Sequence, residues 1–227
     1  MSVQVVPGEI SAQDATTRAV IPTSSAPPWP PFKRVAETIA TPRRRFPPHK
    51  HEGVDVLTYV IEGSGTHEFG SDPPTSVTSG STSLLTAPTT VAHSMNPAKG
   101  QTLRWFGILV TLPSGAPGPV RLQSARPESS GILPDGTVVR HLVGPGSSIT
   151  STIGFECEEI EFLNAGTAFR RVGHDRVAVG YVISGRGQID GAGVETGEAA
   201  LAADAAGVGI QGRAGLKLMF ASAPRVR

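Results

Sequence analysis

Short apolar runs, each closed by a turn signal, set the pattern of this chain. Residues 54–61 read VDVLTYVI and end at Glu62-Gly63-Ser64-Gly65. A run so rich in β-branched and aromatic residues predicts a strand followed by a turn. Residues 66–70 can return as its partner. Further strand-length runs lie at 83–86, 102–112, 137–142, 149–155, 158–163, 177–183, 198–202 and 216–220, mostly bounded by glycine. No segment sustains an apolar period of 3.6 residues. The Ala-rich stretch 198–206 admits a short helix on composition alone. The pattern predicts a nearly all-β protein.

The pattern also repeats. Tyr59-Val60-Ile61-Glu62-Gly63-Ser64-Gly65 matches Tyr181-Val182-Ile183-Ser184-Gly185-Arg186-Gly187. Downstream, Gly80-Ser81-Thr82-Ser83-Leu84 parallels Gly197-Glu198-Ala199-Ala200-Leu201. Two motifs in the same order suggest a duplicated β unit, and short strands at regular spacing suggest a sandwich or barrel. The run 113–119, PSGAPGP, reads as a linker or long loop. The expected division is a strap at 1–45, one unit at 46–118 and a second at 119–227. Five prolines within 21–32 oppose helix and favour extended chain, with Trp29 and Phe32 available to pin the strap to the body.

Composition narrows the function classes. The chain has 227 residues, with 27 Gly and 20 Pro, as expected of many tight turns. The net charge of +1 gives no basic excess for phosphates, so no direct nucleic-acid binding is expected. The single cysteine, Cys157, excludes an intramolecular disulfide framework. Its acidic neighbours Glu158 and Glu159 would raise its pKa, which argues against a nucleophile. No apolar stretch is long enough for a membrane helix. No basic region followed by an apolar run opens the chain, and the expected location is cytoplasmic.

The sharpest chemical feature is Phe46-Pro47-Pro48-His49-Lys50-His51. On extended chain, His-x-His puts both imidazoles on one face. Two neutral imidazoles begin a metal site, and His93, after a later strand of the same unit, is a candidate third. Counting from the shared motifs puts Arg171 and Gly173 where the first unit has His49 and His51, and Ile210 where it has His93. Any metal site therefore belongs to the N-terminal unit. The short run Arg43-Arg44-Arg45 reads as a solvated loop. Glu68 is expected to be solvated, and one of Trp105 and Phe106 must face inward.

The segment FPPHKHEGVDVLTYVIEGSGTHE resembles the pirin signature F-P-x-H-P-H-x-G-F-E-T-V-T-Y-x-x-E-G-x-x-x-H, and LLTAPTTVAHSMNP resembles a later pirin segment. The resemblance implies two tandem cupin barrels, a double-stranded β-helix or jelly-roll fold, with metal in the N-terminal cupin only. It places the metal ligands on His49, His51 and His93. The family's fourth ligand, a Glu, falls on Met95, a soft thioether. Family glycines fall on Pro88 and Thr90, and a family Pro falls on Lys50. Asp55 stands in as fourth ligand, as a hydrogen-bond acceptor for a ligating histidine, or, with His67, as the catalytic group that takes the substrate's hydroxyl proton; water is the other candidate for the fourth position. His67 matches a family histidine and is expected as a general acid or base, or as a hydrogen-bonded structural residue. The resemblance implies Fe(II) in many members, with Cu, Ni, Mn or Zn as alternatives. It implies a quercetin-type flavonol 2,3-dioxygenase activity in some members, with a small aromatic substrate. In others it implies a metal- or redox-dependent regulatory protein with a protein partner.

Overall fold

The structure, a computed structural model, describes residues 3–11, 15–127, 129 and 131–225. Its elements are all strands: β1 (Gln4–Val6), β2 (Glu9–Ser11), β3 (Thr16–Ile21), β4 (Phe32–Ala40), β5 (Phe46–His51), β6 (Val54–Phe69), β7 (Thr75–Thr78), β8 (Thr82–Ala87), β9 (Val91–Pro97), β10 (Leu103–Thr111), β11 (Arg121–Ala125), β12 (Thr137–Val143), β13 (Glu156–Phe162), β14 (Gly166–Ser184), β15 (Arg186–Ile189), β16 (Ala192–Glu195), β17 (Ala199–Gly212) and β18 (Lys217–Pro224). They form two curled antiparallel barrels of the bicupin kind. No helix of the described residues is long and apolar enough to cross a membrane.

The chain divides into two compact units. One is Glu9–Thr23 with Pro27–Arg126, and the other is Met1–Gly8, Ser24–Ala26 and Pro127–Arg227. The run at 113–119 is a loop inside the first unit, because β11 beyond it pairs with β8. The stretch expected as a strap is shared between the two. β1 pairs with β17 of the second unit, whereas β4 lies inside the first unit's sheet, between β3 and β10. Phe32, Val35, Ala36 and Ala40 are buried there, so this segment is core rather than strap.

In the first unit the sixteen-residue β6 serves both layers. Its first half pairs with β8 and β10, and its second half with β7 and β9. The strand changes layer at Gly63, whose φ is +89° and where a Cβ would sit 2.0 Å from the Thr102 carbonyl oxygen. Only glycine fits there.

The second unit uses nineteen-residue β14 in the same way. It pairs with both halves of β17, across a bulge between Gly173 and Val177, and with β18. The Ala-rich stretch is strand β17, not helix: residues 199–202 are buried in succession and pair with β1 and β14. Residues 149–155 form no strand. Ile149 and Phe155 are buried by packing from a loop instead.

Candidate metal centre

β5 and β9 are antiparallel neighbours, and His49 pairs in register with His93. His51 lies two residues along β5, on the same face as His49. The three rings meet with centroids 4.5 to 4.8 Å apart. His93 Nε2 stands 3.0 Å from His49 Nε2 and 3.0 Å from His51 Nε2. His93 is buried, and the other two are half-buried.

Hydrogen bonds behind the rings fix their orientation. His49 Nδ1 lies 3.0 Å from the Pro47 carbonyl oxygen, which can only accept. Nδ1 therefore carries the proton and the Nε2 lone pair points to the centre. His93 Nδ1 lies 2.8 Å from His67 Nε2. His67 Nδ1 in turn approaches Ser83 Oγ at 3.4 Å. Glu68, expected to be solvated, accepts from Ser94 Oγ at 3.0 Å and from Asn96 Nδ2 at 3.3 Å, and so ties β6 to the strand that carries His93.

Electrostatics keep these rings neutral. Burial, then His49, Lys33 and Arg34, hold His51 down to about 4. Burial and then His49 hold His67 to about 4. Burial and the other three histidines push His93 to about 2. Burial also lowers His49, with Arg34 adding to the effect against the Pro47 hydrogen bond.

This donor set fits a divalent transition ion. One His93 nitrogen has a single proton or a single lone pair, so it cannot hydrogen-bond fully to both neighbours. A cation satisfies all three lone pairs at once. Separations of 3.0 Å suit adjacent ligands around an ion held at roughly 2.1 Å. Imidazole suits Zn, Cu, Fe and Ni alike.

The histidines open onto a cavity of about 370 Å³. Phe46, Val56, Leu109, Met95 and Trp105 give it apolar walls, and Arg34 and Thr38 add polar groups. Trp105 is thus the inward-facing member of its pair. No carboxylate is among the described residues that line this cavity.

Two expected residues fall elsewhere. Asp55 is fully buried, but it is not grouped with the three histidines. Val56, Leu57 and Thr58 of β6 line the cavity, whereas Asp55 is not among its lining residues. Its place as a fourth ligand or proton acceptor at the centre therefore draws no support from the lining or from the histidine cluster. His67 lies behind His93 rather than on the cavity wall, so it does not meet a substrate there as an acid or base. Met95, two residues from His93 on β9, does line the cavity. Arg34 was missed, since it carries no motif and its strand follows the proline run.

In the second unit, Arg171 pairs in register with Gly207, and Ile210 lies opposite Ala168. The bulge in β14 shifts the register, so Gly207 rather than Ile210 faces the His49 equivalent. None of these side chains can ligate a metal. Cys157 is buried, and desolvation raises its pKa well above the ordinary thiol value.

Comparison with known proteins follows the same division. Residues 24–110 match the Pirin family model. A Pseudomonas aeruginosa protein named provisionally as a quercetin 2,3-dioxygenase is 32% identical over 65 residues, spanning 29% of this chain and 28% of that relative. The match therefore covers less than a third of the relative's length. Among solved structures, the Escherichia coli pirin YhhW in complex with nickel(II) superposes with a TM-score of 0.84 at 16% identity, covering 99% of this chain and 100% of that one. A protein of Geobacillus kaustophilus gives 0.86 at 19% identity, covering 98% and 95%. A quercetin 2,3-dioxygenase of Acinetobacter baumannii gives 0.80 at 14% identity, covering 98% and 79%. At these identities the structural likeness establishes the fold.

Proposed function

Because residues 24–110 match the Pirin family model, we propose that the chain is a pirin-like, metal-dependent dioxygenase of a flavonol-like aromatic substrate, with its metal, Fe(II) by family resemblance, on His49, His51 and His93. The observation that carries this reading is the cavity. Three convergent imidazole nitrogens open onto an aromatic-walled space of about 370 Å³, within the size range of small-molecule sites.

When bound, the metal supplies Lewis-acid and redox chemistry toward a coordinated substrate oxygen and dioxygen. The protein supplies the rest. Phe46 and Trp105 present ring faces and edges to a planar substrate. Apolar walls exclude water and strengthen charge interactions inside. With no carboxylate in the lining to take the hydroxyl proton, the substrate binds as its anion. Arg34 is the cationic partner for that charge.

The lack of a carboxylate also favours one alternative, a metal- or redox-dependent regulatory protein. One experiment separates the two. Protein purified without chelator is loaded in turn with Fe(II), Ni(II), Cu(II), Mn(II) and Zn(II), and quercetin is added with and without dioxygen. Oxygen-dependent loss of flavonol absorbance with release of carbon monoxide, lost in His93→Ala, is the expected result. One bound equivalent of metal with no turnover of any flavonol would leave the regulatory reading in its place.

A further inference from the structure

A second cavity, of about 220 Å³, lies in the same barrel on the other side of His93. Its lining shares Thr58 and Met95 with the histidine cavity, so the two are separated by little more than those side chains and the His67–His93 pair. The inner end is buried and formed by Val60, His67, Ser83 and Met95. The outer end is exposed, at Thr75, Ser76, Ser124 and Arg126. Topology explains the mouth. Among the described residues β7 pairs with β6 alone and β11 with β8 alone, so each leaves an edge beside the opening.

The inner end presents a directed donor. His93 Nε2 faces the metal centre, so its Nδ1–H donates to His67 Nε2. His67 must then carry its own proton on Nδ1. That N–H has only the long 3.4 Å contact with Ser83 Oγ, at the edge of hydrogen-bond range. Between this donor and the mouth lie Val60, Val77, Met95 and Leu122, an apolar sleeve. At the mouth Arg126 donates one N–H to the Ser79 carbonyl, 2.8 Å away, which leaves further guanidinium donors for a ligand.

Donor floor, apolar sleeve and cationic rim together describe one ligand class. We propose that this cavity binds a small monocyclic aromatic acid. Its ring lies in the Val60–Val77–Met95 sleeve, its ring hydroxyl accepts from His67 Nδ1–H, and its carboxylate pairs with Arg126. The volume is below the usual drug-sized range, so a single ring is admitted and a flavonol is not. Binding here would meet the metal centre from behind, through the His67–His93 hydrogen bond. The cavity itself does not depend on the metal; the proton assignment on His67 rests on the metal reading.

The test is titration calorimetry with 4-hydroxybenzoate, on zinc-loaded and metal-free protein, with metal content measured on the same samples. The expected result is saturable binding that survives His51→Ala and is abolished by Ser76→Trp, which fills the exposed mouth. Arg126→Gln should weaken 4-hydroxybenzoate about tenfold while leaving phenol within about twofold, as for loss of one partly exposed charge-assisted contact. The His67 Nδ1 resonance should move on binding. Absence of saturable binding, or binding lost in His51→Ala and retained in Ser76→Trp, would overturn the proposal. One equivalent of zinc without benzoate binding would sink this site alone. Benzoate binding by protein that takes up no metal would sink the metal reading and leave this cavity standing.

Discussion

In the first unit the buried residues fall into clusters on either side of a hole. Val60, Met95, Leu103 and Trp105 lie in one cluster, and Val54, Val56, Leu85 and Ala87 in another, with the histidine cavity lined from both. In the second unit the space beside Arg171 is smaller, about 150 Å³, and charged residues Glu156, Glu158, Arg170 and Arg171 line it. A continuous cluster runs from Ile160 and Phe162 through Val182, Val208 and Ile210 to Leu218 and Phe220. Phe169 lies so close over Gly207 that a Cβ there would stand 2.2 Å from its ring. Charges differ in the same sense. The second unit pairs Arg140 with Glu159 and Glu161, Arg170 with Glu158, and Lys217 with Glu161. The first unit gathers four neutral histidines beside Arg34 and Lys33. One copy of the fold sets paired charges around its smaller cavity, and the other sets neutral histidines around a larger one.

The largest expected effect breaks the hollow unit's function and spares its fold. His93→Ala removes the nitrogen shared by both close contacts. Metal affinity should fall at least a hundredfold, about 2.7 kcal/mol, by competition with a chromophoric chelator. The thermal midpoint of metal-free protein should move little, because the cost of burying that polar ring is removed together with its hydrogen bond to His67. A large drop in that midpoint would show that His93 is chiefly a packing residue.

The second unit should respond in the opposite way. Glu159 is only 2% exposed, and Arg140, 29% exposed, is one of its charge partners. Arg140→Met should destabilise the protein by about 2 kcal/mol, below the range for a fully buried pair because one partner reaches solvent. Metal content should stay at one equivalent. Urea denaturation followed by circular dichroism, with metal analysis alongside, checks both.

Acid separates the units next. His51 and His67 are held to about 4, and His93 to about 2, below the usual 6.5. The unfolded chain therefore takes up protons first as pH falls. The stability these neutral rings allow is complete above pH 6.5 and is lost as pH drops toward about 4. Both tryptophans, Trp29 and Trp105, belong to the first unit, so their fluorescence reports that unit's unfolding. The urea midpoint of metal-free protein by tryptophan fluorescence should decline from pH 7 to pH 5. A flat profile would mean the imidazoles are not desolvated as described.

Much of this contrast was legible in the sequence. His49 and His51 share a face because strands alternate, and the Tyr-Val-Ile repeat showed that the second unit lacks their counterparts. What was not legible depends on pairing between distant strands. The spacing of Asp55 from His51 was suggestive, but which residues of β6 reach the cavity depends on how that strand packs against its neighbours. The role of His67 needs the register that sets it opposite Met95, next to His93. Residues 32–40, FKRVAETIA, alternate well enough for a strand, yet the prolines before them drew the reading toward a strap. Arg34 was lost with that segment. Residues 149–155 looked like a strand because their apolar residues are buried, but a loop can bury side chains without a ladder of hydrogen bonds.

The smallest effect tests the residue that the sequence concealed. Arg34 faces the histidine cavity from β4, and burial lowers its pKa from the ordinary arginine value. Its charge is also among the causes that lower His49 and His51. These two relations predict opposite signs in one variant. Arg34→Gln keeps a polar side chain and removes the charge. An anionic aromatic substrate loses its partner, so KM should rise about tenfold with kcat within about twofold, the pattern for binding lost equally from ground and transition states. The metal loses a repelling neighbour, so its affinity should rise. Steady-state kinetics and metal competition on the same preparation read both. If substrate and metal binding both weaken, Arg34 is holding the barrel wall, and the unbalanced charge of the first unit is structural rather than directed at a substrate.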